Sequence, residues 1–508
     1  MKTKIANHQR NKRMGTLLLS SILSLSLFGC GGSDGDDNGY IQLYNLSSNA
    51  PGVYLTVDQY DDDDYDENIH SPVSFTSISS RLGYDNDTYD IELAWEDDYD
   101  SVYDLEVVYE SELKVDNDTV DLLVITDDIR SPTVLMYEIP VRDDDELDDD
   151  TDDEVFNLRV LNMHSASDGV DLYYSESDET FNEAILFNQS TYSQLSDNQK
   201  LDQDGYTFYL TNAGSTEVLY TSQDIDFPYA SEHIIVVRQN TGVGTSPFTL
   251  DIISTSYITE YPDTNADAAY RVYNAMVTND VFPEYDGSFD FYIDAIDDSP
   301  EVSNLAFGES SESIIIGSGD YSMNLVNPVT QETILSNHLL TLNENTDKTV
   351  FFYLLEEAVD DDNDGNIDEN NDGQIDELEV IMNTLVVENN HSDSIYSHQM
   401  NVINLIDQDE IIDDFTSIKV YFILDDETVD TAEQSVTSIF ATPSSVELLN
   451  NTYKVKVIGR LDSSNRELAT TDLVLTEEST DQFIILEKDA NEPSGYRMTF
   501  EDQVIDQQ

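Results

Sequence analysis

Across 508 residues the chain sets 106 Asp and Glu against 21 Lys and Arg, a formal charge of −85 at pH 7. That balance excludes nucleic acid as a partner, because a phosphate backbone is held by clustered cations. A single cysteine excludes an internal disulfide, so cores in an oxidising compartment must rest on apolar packing, with bound metal as the other aid.

The first 13 residues carry Lys2, Lys4, Arg10, Lys12 and Arg13 and no acid, and an apolar run follows from Thr16 to Phe28. This is the pattern of a signal peptide over residues 1–29, and its apolar part is shorter than the roughly 18 residues that a spanning helix needs. Leu27-Phe28-Gly29-Cys30 resembles a lipobox, which implies cleavage before Cys30 and lipid on that residue, with residues 30–38 as the tether. A diacylated, N-acylated cysteine exceeds the two lipid signals needed for stable anchoring. Gly31, in place of an acid, resembles the sorting pattern of outer-membrane lipoproteins, with the periplasmic or surface face left open. The mature chain would keep 16 Lys and Arg against 106 acids. Self-repulsion of that size points to a saline habitat, where the Debye length falls from about 8 Å toward 3 Å.

Length corresponds to three or four domains, and an internal repeat decides for four. Strands ending in Asn recur at Tyr40–Asn45, Asn157–Asn162, Ala269–Asn274 and Gln399–Asn404. Apolar residues stand two and four places before each Asn, with Gln42, Arg159, Arg271 and Asn401 between them. This period of two predicts one buried and one wet face. A second strand follows each time, with Val53/Leu55/Val57, Val170/Leu172/Tyr174, Phe289/Phe291/Ile293 and Ile418/Val420/Phe422 inward. A third starts at a Tyr after a turn, at Tyr89, Tyr206, Tyr321 and Tyr453. Alternation through Ile91, Leu93 and Trp95 places the sole tryptophan in a core. Late apolar runs at Val120–Thr126, Ile234–Val237, Val350–Leu355 and Phe483–Leu486 close the copies.

The marker asparagines lie 117, 112 and 130 residues apart, the length of one β-sandwich each. The expected fold is all-β, with sandwiches at 39–143, 155–262, 268–392 and 398–508 and a solvated acidic linker over 144–154. Every repeat carries a full strand set and is expected to close its own core and fold alone. Asn-ended first strands, Val-x-Leu-Tyr-like second strands, Asn304-Leu-Ala-Phe-Gly308 and the turn Gly319-Asp-Tyr321 resemble the domain-of-unknown-function family 4397. The third repeat matches best, and the others lack the full Phe-Gly element. The resemblance implies tandem immunoglobulin-like sandwiches of bacterial envelope proteins and carries no activity.

One motif is specific. Asp368, Asn370, Asp372, Gln374, Asp376 and Glu379 stand at the ligand positions of an EF-hand calcium loop, with Gly373 at its sharp turn. Eight residues upstream Asp360, Asp362, Asp364, Asn366 and Asp368 begin the same scheme, but the closing position is Asn371. Asp368 would serve both loops, so the segment 360–379 resembles the tandem Asp-rich repeats of extracellular calcium proteins. Its flanks, Val350–Leu355 and Leu378–Val387, read as strands, which makes it a hairpin insertion in the third sandwich.

No Gly-x-Ser-x-Gly, His-Glu-x-x-His or phosphate loop is present, and Gly242-Val-Gly244 reads as a turn. His391 and His398 are too few for a transition-metal site. The expectation is a non-catalytic envelope lipoprotein, a binding or adhesion array for a glycan or protein ligand with calcium in one domain. A structural scaffold or spacer is the alternative, and an exported hydrolase the third.

Overall fold

The asparagine that ends each lead strand turns the chain and ties down a crossing loop. Asn45, Asn162, Asn274 and Asn404 are fully buried, and each side-chain oxygen accepts from the backbone N–H two residues on, at 3.0 Å. The Asn45, Asn162 and Asn274 amides also donate to the carbonyls of Val73, Ser190 and Leu305. The computed structural model describes residues 38–59, 67–97, 105–141, 155–255, 257–297, 299–359, 378–407, 415–461 and 464–504, and it holds strands and no helix among them.

In the first repeat the lead strand Asn38–Asn45 pairs antiparallel with Leu82–Asp85 and parallel with Thr119–Thr126, which carries Thr133–Pro140 on its other side. The facing sheet orders Asn68–Ile69, Tyr54–Gln59, Thr88–Trp95 and Glu106–Lys114. The plan recurs three times, with parallel partners Glu232–Gln239, Asp347–Ala358 and Gln482–Lys488 for the later lead strands. Each Tyr that opens a third strand donates its hydroxyl to the carbonyl four residues back, at 2.5 to 3.1 Å. This is the tyrosine corner of immunoglobulin-like sandwiches, present in four copies. Each pair of sheets closes on its own apolar core.

The lead strands are not wet on one face. Gln42, Tyr44, Arg271 and Tyr273 are all buried, because the sheets that hold the lead strands pack their outer faces together in pairs, first on second and third on fourth. Tyr44, Val120, Leu122 and Val124 meet Leu161, Met163, Val236 and Ile253 between the first two repeats. Tyr273, Phe351 and Tyr353 meet Ile403, Phe483 and Ile485 between the last two. Sheets buried on both faces explain runs such as Val120–Ile125, in which every residue is buried. A repeat alone would therefore expose an apolar sheet face, which alters the expectation that each folds alone.

Two smaller contacts join the pairs. Asn240 and Asn345 exchange amide hydrogen bonds at 3.0 and 2.9 Å, linking the second and third repeats. A side chain at Gly242 would stand 2.3 Å from the Asn345 amide, so the Gly-x-Gly element is a junction where backbone meets side chain. Trp95 is half-buried and stacks on Tyr396 with ring centroids 4.0 Å apart, so it lies at the contact of the first repeat with the segment entering the fourth. It is not a core residue of its own sandwich, whose core cluster closes without it. Ile395 N–H donates to the Asn49 carbonyl at 3.1 Å, and Arg130 faces Glu477 at 3.5 Å. Contacts thus run from first to second, second to third, third to fourth and fourth to first.

Candidate functional site

That circuit of contacts leaves a cleft of about 360 Å³ whose walls come from all four repeats. The first repeat contributes the turn at Ser74–Thr76, in which Thr76 adopts φ +57° and donates its N–H to the Asn45 carbonyl. The second contributes Gly242 and Glu260, and the third Glu388 and Asn389 at the end of the strand Leu378–Glu388. Glu447 and Asp481 come from the fourth. No Lys or Arg lines it.

Three of the four carboxylates are held in place. Asp481 accepts from the Gln399 N–H at 2.7 Å and from the Asn390 amide at 2.6 Å. Burial pushes Asp481 up to about 7 against the pull of those bonds, and Glu447 adds to the rise. Glu447 accepts from the Ser397 hydroxyl. Glu260 is gripped by Arg238, yet burial raises its carboxyl above the ordinary value and Glu388 pushes the same way.

The Glu260 grip is one end of a buried lock between repeats. Arg238 donates Nε to Asp251 at 2.6 Å, and the same Asp251 oxygen accepts from the Tyr44 hydroxyl of the first repeat. Burial first, then the Asp251 carboxylate, holds the Tyr44 phenol well above its ordinary range. In the second pair Tyr273 lies beside Glu487, which accepts from Arg497 Nε at 3.0 Å. Arg497 also stands 4.5 Å over the Phe307 ring. A side chain at Gly308, where φ is +76°, would strike the Arg497 guanidinium at 2.1 Å. The Phe-Gly element of the third repeat is therefore a docking surface for the fourth.

Cys30 and the calcium-loop residues Asp360, Asp362, Asp364, Asn366, Asp368, Asn370, Asp372, Gln374 and Asp376 lie outside the described residues. Glu379 is described: it is exposed, on a strand, paired in register with Glu357. The strands on either side of it, Asp347–Ala358 and Leu378–Glu388, are antiparallel partners, so strands and not helices flank the segment. Among the described residues no cluster of three His, Cys, Asp or Glu could hold a metal. His391 faces Asp347 at 3.2 Å beside the cleft, whereas His398 is buried against Asn450 and Thr476.

Nothing in the spacing of Asp481, Asn389 or Glu260 sets them apart from other polar residues in an acidic chain. The lock did leave a signal. The residue before each marker Asn is Tyr44, Leu161, Tyr273 and Ile403 in turn, so a tyrosine marks the odd member of each pair and an aliphatic residue the even one.

No protein-family model matches the chain, and no curated protein does. Solved structures similar to it include the following two. The Bacillus anthracis TIE protein is 8% identical over 90% of this chain and 75% of that one, with a TM-score of 0.14. A candidate adhesin from Bacteroides ovatus is 9% identical over 44% of this chain and 95% of that one, with a TM-score of 0.13. At those scores neither likeness carries an argument about this chain.

Proposed function

We propose that the mature chain is a non-catalytic binding protein, tethered to the outer membrane by lipid on Cys30, whose ligand occupies the cleft shared by the four repeats. The observation that carries this reading is the shared wall itself: side chains from four sandwiches converge on one cavity that no single repeat could form. Its volume falls within the ~300–1,000 Å³ of small-ligand pockets. Hydrolysis of a glycosidic bond needs one carboxyl free to give a proton and another free to attack or to activate water. Asp481, Glu447 and Glu260 are instead engaged by Gln399, Ser397 and Arg238, which favours binding over turnover. The contacts that run through all four repeats speak against a string of spacers. Calcium, in this reading, is held by the 360–379 loop of the third repeat.

A photo-crosslinking residue at Ser74 or Thr241, both exposed at the cleft, tests the proposal on intact cells and isolated envelopes. Leu339, 67% exposed and away from the cleft, is the control position. Adducts from the cleft positions and none from Leu339 are expected. Adducts from Leu339 alone, or from none of the three, would overturn it.

A further inference from the structure

Granting the lipid on Cys30 proposed above, we infer that the end of the first two repeats that carries Tyr229 and Tyr257 rests on the tethering membrane, with both side chains in the headgroup layer of neutral phospholipid. These two are 75% and 65% exposed. Every other Phe, Tyr and Trp among the described residues is buried or half-buried. Both exposed aromatic side chains stand at one end of the molecule.

Contacts across the first interface fix that end. Tyr44 bonds Asp251, and Gln42, two residues nearer the start of the lead strand, donates to the Thr255 carbonyl at 3.1 Å. The hairpin after Ile253 therefore runs toward Asn38, and Tyr257 closes it by accepting from the Ser254 N–H at 3.0 Å. Tyr229 precedes the strand Glu232–Gln239, whose first residue pairs with Asn157. Asn157 and Glu232 share one small cavity with Gln42 and Arg81. Both tyrosines thus lie where the chain enters the first repeat.

Cys30 precedes Asn38 by eight residues, about 27 Å when fully extended. Gly31, Gly32, Ser33 and Gly35 make that stretch a flexible chain, whose typical span is about 16 Å. On so short a tether the Asn38 end is the one that meets the bilayer. Tyrosine suits that boundary, its ring at the apolar edge and its hydroxyl among wet headgroups. Asp85, Asp118 and Glu232 stand at the same end, against Asn38 and Asn157. An anionic leaflet would repel them, so the receiving lipid is neutral. The cleft turn at Thr76 bonds Asn45, at the other end of the same lead strand, so docking leaves the cleft facing away from the bilayer.

The test reconstitutes the lipidated protein into phosphatidylcholine vesicles doped with a nickel-chelating lipid. Nitroxide labels go singly on Ala230→Cys and Thr255→Cys, exposed beside the two tyrosines, and on Ser74→Cys, exposed at the far end. Acylated Cys30 does not take the label. Nickel is expected to speed relaxation several-fold more at Ala230 and Thr255 than at Ser74. Tyr229→Ser with Tyr257→Ser should abolish that excess at an unchanged melting temperature, and phosphatidylglycerol in the vesicles should reduce it. Equal relaxation at the three positions, or an excess indifferent to the double variant, overturns the docking face. Labels immobilised in native envelopes but untouched by nickel in vesicles assign the tyrosines to a protein partner and overturn the lipid. A chain that neither floats with vesicles nor takes up acyl label overturns the lipid on Cys30 and the face with it. One that floats without nickel contact overturns the face alone.

Discussion

Arg238 and Glu487 occupy the same place in the second and fourth repeats and carry opposite charge. Each follows directly on the residue paired with the lead-strand asparagine, Val237 opposite Asn162 and Leu486 opposite Asn404. Each also lies in a buried ion pair with the next strand, Arg238 with Asp251 and Glu487 with Arg497. A tyrosine lies against the acid of each pair, bonded to Asp251 at Tyr44 and set beside Glu487 at Tyr273, so the two interfaces share one plan with the positions of acid and base exchanged. We read the chain as two copies of a two-sandwich unit.

Tyr44→Phe removes one donor from Asp251 and leaves the ring in place. Hydrogen bonds to charged groups contribute about 1.5–3 kcal/mol, and a loss in that range is expected in urea denaturation of the mature chain. A loss below a few tenths would mean that the lock contributes only packing.

Residues 38–262 should unfold as one cooperative transition at higher urea than residues 155–262, which expose Leu161, Met163, Val236 and Ile253 when alone. Leu161→Ala should destabilise the two-repeat unit by about 2–5 kcal/mol, as a deletion in a core does, and cost the single repeat much less. Equal stability of the two fragments would show that the interface adds nothing.

How much of this was legible in the chain follows from what periodicity reports. Alternation in Ile41, Leu43 and Gln42 identifies a strand and its inner face, and the turn tyrosines give the repeat. The outer face of a lead strand is polar in Gln42 and Arg271, and alternation cannot tell a polar residue in water from one buried at an interface. Gln42 donates to the Ser79 and Thr255 carbonyls, and the Thr255 contact lies 213 residues away in sequence. Alternation misreads Trp95 for the same reason, since its stacking partner Tyr396 belongs to the segment entering the fourth repeat. The cleft joins residues of four repeats and leaves no local pattern to read.

Stability should fall as pH rises from about 5 to 8. Glu487 and Asp481 are both raised to about 7 by burial, from ordinary values of 4.5 and 3.8. Between those limits the folded state holds protons that the unfolded chain has released. Their contribution is complete below the unfolded values and is lost as pH passes through about 7. Repulsion among the other acids works in the same direction, so the comparison is with Glu487→Gln and Asp481→Asn together. The double variant should have a flatter profile in urea midpoints, and an unchanged slope would contradict the role of these two groups.

Calcium at millimolar concentration should raise the melting temperature of the mature chain, and a chelator should reverse it. Ten of the twenty residues in 360–379 are acidic and none is basic, so an ion relieves repulsion within the segment. Affinity on the order of 10⁻⁴–10⁻³ M is expected, as in extracellular modules, with magnesium weaker because it resists dehydration. At ten times the dissociation constant the gain would be about 1.4 kcal/mol. Asp372→Ala with Glu379→Ala should abolish the shift, and an equal shift in that variant would place calcium elsewhere.

The central claim is that four sandwiches hold one cleft between them. Replacing Cys30 by Ser gives a chain free of cysteine, into which Ser74→Cys and Glu388→Cys introduce labels on cleft walls from the first and third repeats, which do not pair directly. Pulsed electron paramagnetic resonance between the two spin labels should return a single narrow distance distribution. A broad distribution, as independent sandwiches on flexible joints would produce, would contradict the shared cleft.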